Sequence, residues 1–483
     1  MHMTQITRRH FLKAGTVAAG ASLLSGGSVW AQPTGSNSDV RMAVIGFNGQ
    51  GKSHIDGLRR VNGVRIVALC DVDKAVLERE AKKFRDRNEA VTEYTDVRKL
   101  LADPNVDAVS IATPNHWHAL IAIWAIQAGK DVYVEKPVCH NVSEGRRIVE
   151  AARKHKRIVQ TGTQSRSNPG MREAMAYLHA GQLGRIKLAR GLCYKRRASI
   201  GKVSGPQTPP ASVDYDLWCG PAPLDPLMRT RLHYDWHWVW QTGNGDLGNQ
   251  GIHQMDIARW ALQETTLSPQ VLSVGGRLGY VDDGTTPNTQ FIIHDYAKAP
   301  LIFEVRGLTR MAGVENMDVY KGASIGVIVE CENGSMSIPT YFSATATDLS
   351  GRVVKEFRAE ASHFENFIKA VRSRKMEDLN ADILEGHLSS GLCHTGNISY
   401  RMGKHSSPEE IKEKLAANPA AAETFERCMS HLAANKVDLT NQPLTLGAFL
   451  KMDVKKERFT NNKHANTFLR REYRKGFVVP DKV

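Results

Sequence analysis

Short apolar runs alternate with amphipathic stretches from residue 40 onward. Runs at 40–45, 65–70, 107–112, 131–135 and 157–161 are rich in Val, Ile and Ala and too short for helices. The stretches between them, 52–60, 74–87, 116–128 and 143–156, carry apolar residues at helical spacing. Strands alternating with helices predict βαβ units and a parallel sheet. Beyond residue 162 the alternation stops. Residues 195–240 are rich in Pro, Gly, Trp and Tyr and predict a long ordered excursion. Strands follow at 271–278, 290–295, 301–305, 324–331 and 335–339, with no helices between them. Glu332-Asn333-Gly334 joins the last two as a hairpin. This second sheet is expected to be large, open and mostly antiparallel, within an α+β domain. Helical patterning returns near the end, where Ser407-Pro408-Glu409-Glu410 reads as a capping box. The predicted domains are 39–161, 162–400 and a helical extension at 401–483.

Composition changes this picture little. Hydrophobic residues make up 41% and charged residues 24% of the 483, which excludes a disordered tail protein, a collagen-like chain and a disulfide miniprotein. No apolar run reaches the roughly 18 residues of a transmembrane span, so no transmembrane segment is expected. Net charge is +14, and the excess is concentrated late, with nine bases and three acids between Lys451 and Lys475. No aromatic-interleaved nucleic-acid module accompanies it. A solvated basic face or an oligomer contact is therefore expected, and no nucleic-acid partner.

The first 31 residues read as a targeting segment. Thr7-Arg8-Arg9-His10-Phe11-Leu12-Lys13 is a twin-arginine pattern, followed by small and apolar residues and a cleavage site at Val29-Trp30-Ala31. Residues 32–38 form a linker. These features predict engagement of the twin-arginine export machinery and a periplasmic location. That route carries folded proteins, which suits a protein that must bind its cofactor first. The seven cysteines are scattered, with no CxxC pair, so neither a disulfide framework nor a zinc site is expected.

Gly46-Phe47-Asn48-Gly49-Gln50-Gly51 lies between the first strand and the first helix. It approximates the dinucleotide fingerprint G-x-G-x-x-G, with Asn48 at the second glycine position and Gly49 just after. Backbone amides there can meet a pyrophosphate at the positive end of the helix. Asp71 ends the second strand, where a carboxylate binds the ribose hydroxyls of NAD and repels the 2′-phosphate of NADP. The expected cofactor is NAD.

Four further strings complete a pattern. Thr113-Pro114-Asn115-His116-Trp117-His118 follows the third strand, Glu135-Lys136-Pro137 the fourth and Gly162-Thr163-Gln164 the fifth, and Gly251-Ile252-His253-Gln254-Met255-Asp256 comes later. Together they resemble the Gfo/Idh/MocA (glucose–fructose oxidoreductase / inositol dehydrogenase) family over residues 39–400, in its exported branch. The resemblance implies a Rossmann doubly wound sheet followed by an α+β domain that serves substrate binding and oligomerisation. It adds Thr113, Asn115, His118, Glu135, Lys136 and Gln164 to the cofactor site, and places the catalytic pair at Lys136 and His253. It also implies a homodimer or homotetramer.

The chemistry fits those two residues. Oxidising a secondary alcohol needs a base for the hydroxyl proton and a positive group beside the alkoxide. Lys136 ends a parallel strand, where ligands of such sheets bind. His253 titrates near neutrality when unperturbed. Many relatives carry an aspartate where this chain has Asn249, which can orient a sugar but not take its proton. Arg166, Trp238, Asn249 and Asp256 are the expected sugar contacts, with His237 and Trp240 beside them. His387 and His394, seven apart, share one helical face, but no carboxylate at ligand spacing joins them, so no metal site is expected. The leading reading is an NAD-dependent dehydrogenase of a sugar or glycoside hydroxyl, for example the 3-OH, with a bound and recycled cofactor. A glycosidase working by transient oxidation and elimination is the second reading, and a non-catalytic sugar-binding protein the third.

Overall fold

In the computed structural model, which describes residues 39–483, the first half of the chain follows the predicted alternation. The twin-arginine leader and the linker lie outside the described residues. The elements are β1 (Val40–Ile45), α1 (Gln50–Arg59), β2 (Val64–Cys70), α2 (Lys74–Arg85), β3 (Thr92–Tyr94), α3 (Val97–Leu101), β4 (Ala108–Ile111), α4 (Asn115–Gln127), β5 (Asp131–Val134), α5 (Val142–Lys154) and β6 (Val159–Thr161). All sheet pairs are parallel, in the order β3-β2-β1-β4-β5-β6. The order reverses between β1 and β4, and that switch point opens a crevice at the carboxyl ends of the strands. Burial on both faces explains the continuous apolar runs of β1, β4 and β5.

The second half begins with α6 (Pro169–His179) and β7 (Ile186–Tyr194), then the excursion with α7 (Tyr215–Cys219), then α8 (Gly245–Asn249) and α9 (Gly251–Leu262). Strands β8 (Gln270–Gly276), β9 (Thr289–His294), β10 (Leu301–Arg306), β11 (Ile325–Cys331), β12 (Gly334–Ile338), β13 (Ser343–Asp348) and β14 (Val353–Arg358) follow, then α10 (His363–Ser373) and α11 (Ile383–Arg401). They build one large sheet whose pairs are antiparallel except β7 with β10. Strand β7, absent from the sequence prediction, lies between β11 and β10. Its Arg190 is buried and donates to Glu304 of β10 (3.0 Å), so a polar residue sits inside a sheet without an unpaired charge.

The segment after residue 401 is only partly helical. Helices α12 (Pro408–Leu415) and α13 (Pro419–Ala434) are flanked by β15 (Lys404–His405), β16 (Thr445–Leu446), β17 (Leu450–Asp453) and β18 (Arg458–Phe459). β16 and β17 both pair with β8. Ile411, Leu415, Phe425 and Leu432 of α12 and α13 pack on Leu272, Val274, Phe291 and Ile302 of the sheet. α9 and α11 pack on the opposite face. The predicted extension is thus a layer of the second domain. Its last residues return to the first, where Phe477 meets Trp117 edge-on at 5.5 Å. α10 also returns, packing Phe364 (tilted) and Phe367 (edge-on) against Tyr133 of β5.

Candidate functional site

The glycine loop is shaped by contact. Gly46 turns the chain with φ +76°, and a Cβ on Gly51 would lie 2.0 Å from the Gly46 carbonyl oxygen. Asn48, Gly49 and Gln50 are left exposed at the loop apex. The Asp71 carboxylate accepts from Phe47 N (3.2 Å) and Asp73 N (3.0 Å), which locks loop and strand together. Burial raises its pKa to about 6 against those two hydrogen bonds.

Gly46, Phe47, Asn48, Gly49, Gln50 and Asp71, though not Gly51, line one cavity of about 380 Å³ that also receives Thr113, Asn115, His118, Glu135, Lys136 and Asn249. His118 lies between the carbonyls of Pro137 (2.7 Å) and Thr113 (2.6 Å), tying the two strand-end loops to each other. Asn115 donates to the Asn244 side chain (3.0 Å), linking the nucleotide loop to the segment before α9. Glu135 Oε1 meets His54 Nε2 at 3.0 Å, and His54 Nδ1 meets Ser110 Oγ at 2.7 Å. Burial would raise the Glu135 pKa, but the His54 hydrogen bond and the Lys136 charge hold it down at about 2.

Lys136 Nζ is 3.7 Å from Glu135 Oε2 and donates to the Asn249 backbone carbonyl at 3.4 Å. Its partner at Asn249 is therefore the main chain. His253, in the first turn of α9, packs its ring on Tyr341 at 4.7 Å and does not itself line the cavity. Burial first, and the Lys136 charge second, push its pKa down to about 3. The near-neutral titration expected from the sequence is corrected: His253 is a neutral imidazole at physiological pH.

Other expectations are also corrected. Arg166 and Asp256 do not line the cavity; they pair with each other, Arg166 Nε to Asp256 Oδ2 at 2.8 Å, both buried. Each had been expected to face the cleft, but a charge on the inner side of α9 must find its partner inside. Trp238 is buried beneath the Arg197 guanidinium (5.0 Å), while its neighbours Trp236 and His237 line the cavity, stacked at 3.6 Å. Gln164 is half-buried beside Tyr133 and is not among the lining residues. His387 meets Glu457 (2.8 Å) and His394 meets the Cys139 carbonyl (3.1 Å). Among the described residues no group of three or more His, Cys, Asp or Glu could hold a metal ion.

The excursion supplied the residues that sequence reading missed. Leu217, Trp218, His233 and Tyr234 line the cavity. The segment is fastened over the Asp71 end by Lys74 N to Ser212 O (2.9 Å), Asp214 N to Val72 O (3.1 Å) and His233 Nε2 to Asp73 Oδ2 (3.0 Å). Its density of Trp and Tyr was the available signal. Lys195, Gln250 and Tyr341 gather near His253. Nothing local in the sequence marked these three, because they come from three separate elements.

Two family models match, "Oxidoreductase family, NAD-binding Rossmann fold" over residues 40–163 and "Oxidoreductase family, C-terminal alpha/beta domain" over residues 185–432. The chain belongs to the Gfo/Idh/MocA oxidoreductase family. It is an NAD-binding protein, and the glycine loop, Asp71 and the enclosed cavity fit that dinucleotide. An inositol 2-dehydrogenase of Acidothermus cellulolyticus is 26% identical over 394 residues, covering 80% of this chain and 98% of the relative. A glycosyl hydrolase family 109 protein of Shewanella sp. (strain W3-18-1) is 34% identical over 172 residues, covering 31% of this chain and 38% of the relative. The chain thus spans less than half the length of several curated Gfo/Idh/MocA relatives it matches. The fold is shared with the WlbA dehydrogenase of Bordetella pertussis, solved with NADH and UDP-GlcNAcA, at TM-score 0.55 and 17% identity, covering 74% of this chain and 96% of that one.

Proposed function

We propose that this oxidoreductase oxidises a secondary hydroxyl of a sugar or glycoside, for example the 3-OH, and keeps its NAD bound between turnovers. The observation that carries this is the Lys136 ammonium on the wall of the dinucleotide cavity, close enough to the His253 imidazole for its charge to depress that group. When bound, NAD supplies the hydride acceptor. Lys136, held by Glu135 and the Asn249 carbonyl, is placed to steady the oxygen as its charge develops. His253 offers a lone pair for the hydroxyl proton. The developing alkoxide offsets the lysine charge that depresses the imidazole, so His253 gains basicity as the proton leaves. Trp236 and His237 present flat faces for a pyranose.

The excursion fastened across Val72 and Asp73 supports a retained cofactor, because those bonds must open for nucleotide to leave. Retention suits the location we propose from the twin-arginine leader, the periplasm, where NAD is scarce. The family's assembly habit supports a homodimer or homotetramer.

A second reading, a glycosidase that oxidises, eliminates, hydrates and reduces its substrate, draws on the similarity to glycosyl hydrolase family 109 proteins. Purified protein incubated with a glycoside panel, with and without a carbonyl acceptor, separates the two by NMR. Keto-sugar formed only with acceptor supports the dehydrogenase. Free sugar without acceptor supports the glycosidase, and no product in any arm refutes both.

A further inference from the structure

Lys195 follows β7 and is half-buried. Its Nζ donates to Gln250 Oε1 at 2.9 Å, and the Gln250 amide donates to the Tyr341 hydroxyl at 2.5 Å. Gln250 adjoins Asn249, whose carbonyl receives Lys136. Two ammonium groups are therefore held by consecutive residues just before α9, and both act on His253.

The two lysines differ in their counter-charges. Lys136 has Glu135 at 3.7 Å. Lys195 has no carboxylate within 4 Å among the described residues, and its one side-chain partner is a neutral amide. The neighbouring acids are committed. Asp246 holds the Arg197 guanidinium by two bonds of 2.8 and 2.6 Å, and Glu135 is shared between His54 and Lys136. Burial first, then the charges of Arg197 and Lys136, pull the Lys195 pKa below the ordinary lysine value, against the opposing charge of Asp246, which is bonded to Arg197. A partly desolvated ammonium beside a second one is costly unless something negative joins it. A wet surface lysine would need no such partner.

Resting on the reading of this cleft as a sugar site, we propose that Lys195 receives a carboxylate of the substrate, so that the sugar oxidised is an acidic one, a uronate or its glycoside. Lys136 then remains free for the reacting oxygen, and Gln250 sets the distance between the two groups. A charge-assisted hydrogen bond of this kind changes affinity by about tenfold to a hundredfold.

The test is calorimetric binding, which requires no turnover. The NAD-loaded protein is titrated with the methyl glycosides of glucuronate and galacturonate and with the neutral methyl glucoside and galactoside. Wild type should bind at least one uronide tenfold or more above its neutral parent. Lys195→Gln should erase that preference while leaving neutral-sugar binding within about twofold, and Lys195→Arg should retain most of it. No uronide preference in wild type, or an unchanged preference in Lys195→Gln, overturns the proposal. NADH formation is followed in the same samples. A uronide preference without NADH refutes the oxidoreductase reading and leaves the Lys195 assignment standing; NADH from neutral sugars alone does the reverse.

Discussion

Replacing Asp256 by Asn separates a substrate role from a structural one. Asp256 is 1% exposed and accepts four hydrogen bonds: from Arg166 Nε at 2.8 and 3.0 Å, from Arg166 Nη2 at 2.9 Å, and from Ser389 Oγ at 2.7 Å. Arg166 and Arg259 are 7% and 2% exposed and share one other acid, Glu385, which is 32% exposed. Removing the charge leaves two buried guanidinium groups to one partly wet carboxylate. Loss of one partner of a buried pair costs about 3–5 kcal/mol. Asparagine keeps the volume and an acceptor oxygen, so the lower end, about 3 kcal/mol, is expected. At about 2–4 °C per kcal/mol for a domain of this size, the melting temperature should fall by about 6–12 °C. The KM for sugar should change little, because the two buried side chains are committed to each other. The double variant Arg166→Met with Asp256→Leu should cost less than the sum of the single changes. Differential scanning fluorimetry and steady-state kinetics give both readouts. An unchanged melting temperature with a raised KM would refute the reasoning and return Asp256 to the substrate.

Other expectations follow from the same geometry. Lys136→Met and His253→Ala should each slow single-turnover reduction of bound NAD, by about 10²–10³-fold and 10²–10⁴-fold respectively, and their double variant should lose less than the product; a wild-type rate in His253→Ala would require another base. Asp71→Ala should weaken NAD more than NADP, and nucleotide released from denatured protein should be NAD; finding NADP alone would count against the site. Acid should destabilise the fold: His116, His237, His253, His294 and His394 are held by burial at about 3, so only the unfolded chain takes up their protons as pH falls from about 6.5. Each adds a slope of about 1.4 kcal/mol per pH unit between those values, and the fewer carboxyls raised by burial, Asp71 to about 6 with Glu144 and Glu264, oppose it; a urea midpoint equal at pH 7.5 and pH 5 would contradict this. Light scattering should show a dimer or tetramer, with Val353 and Val354 on β14 among the exposed apolar residues available to a neighbour; a monomer at micromolar concentration would argue otherwise.

The parallel sheet, the glycine loop, Asp71, the Glu135-Lys136-Pro137 triplet and His253 were legible in the sequence. A parallel sheet covered on both faces writes itself as unbroken apolar runs, and a turn that admits only glycine leaves a mark at a fixed place. The same reasoning could not find β7, because its buried Arg190 makes a central strand look like a surface segment. It failed again at α9, where all positions but His253 and Trp260 are buried, so no polar side points to solvent. Periodicity there does not say whether Asp256 meets a sugar or an arginine.

The sequence by itself determined the two-domain order and the dinucleotide-binding fold, and it singled out Lys136 and His253 as candidates, since each rests on neighbours within a few residues. Only the tertiary structure decided what those groups experience. The Lys136 charge and the burial of His253 come from chain more than a hundred residues apart, and together they move the imidazole from near neutrality to about 3. The pairing of Arg166 with Asp256, the roof that residues 205–240 lay over Asp71, and the conversion of the last eighty residues from a helical tail into sheet, helix and strap are likewise long-range. A charge finds its partner, and an apolar face its cover, only after folding has brought distant segments together, and no local pattern records that outcome.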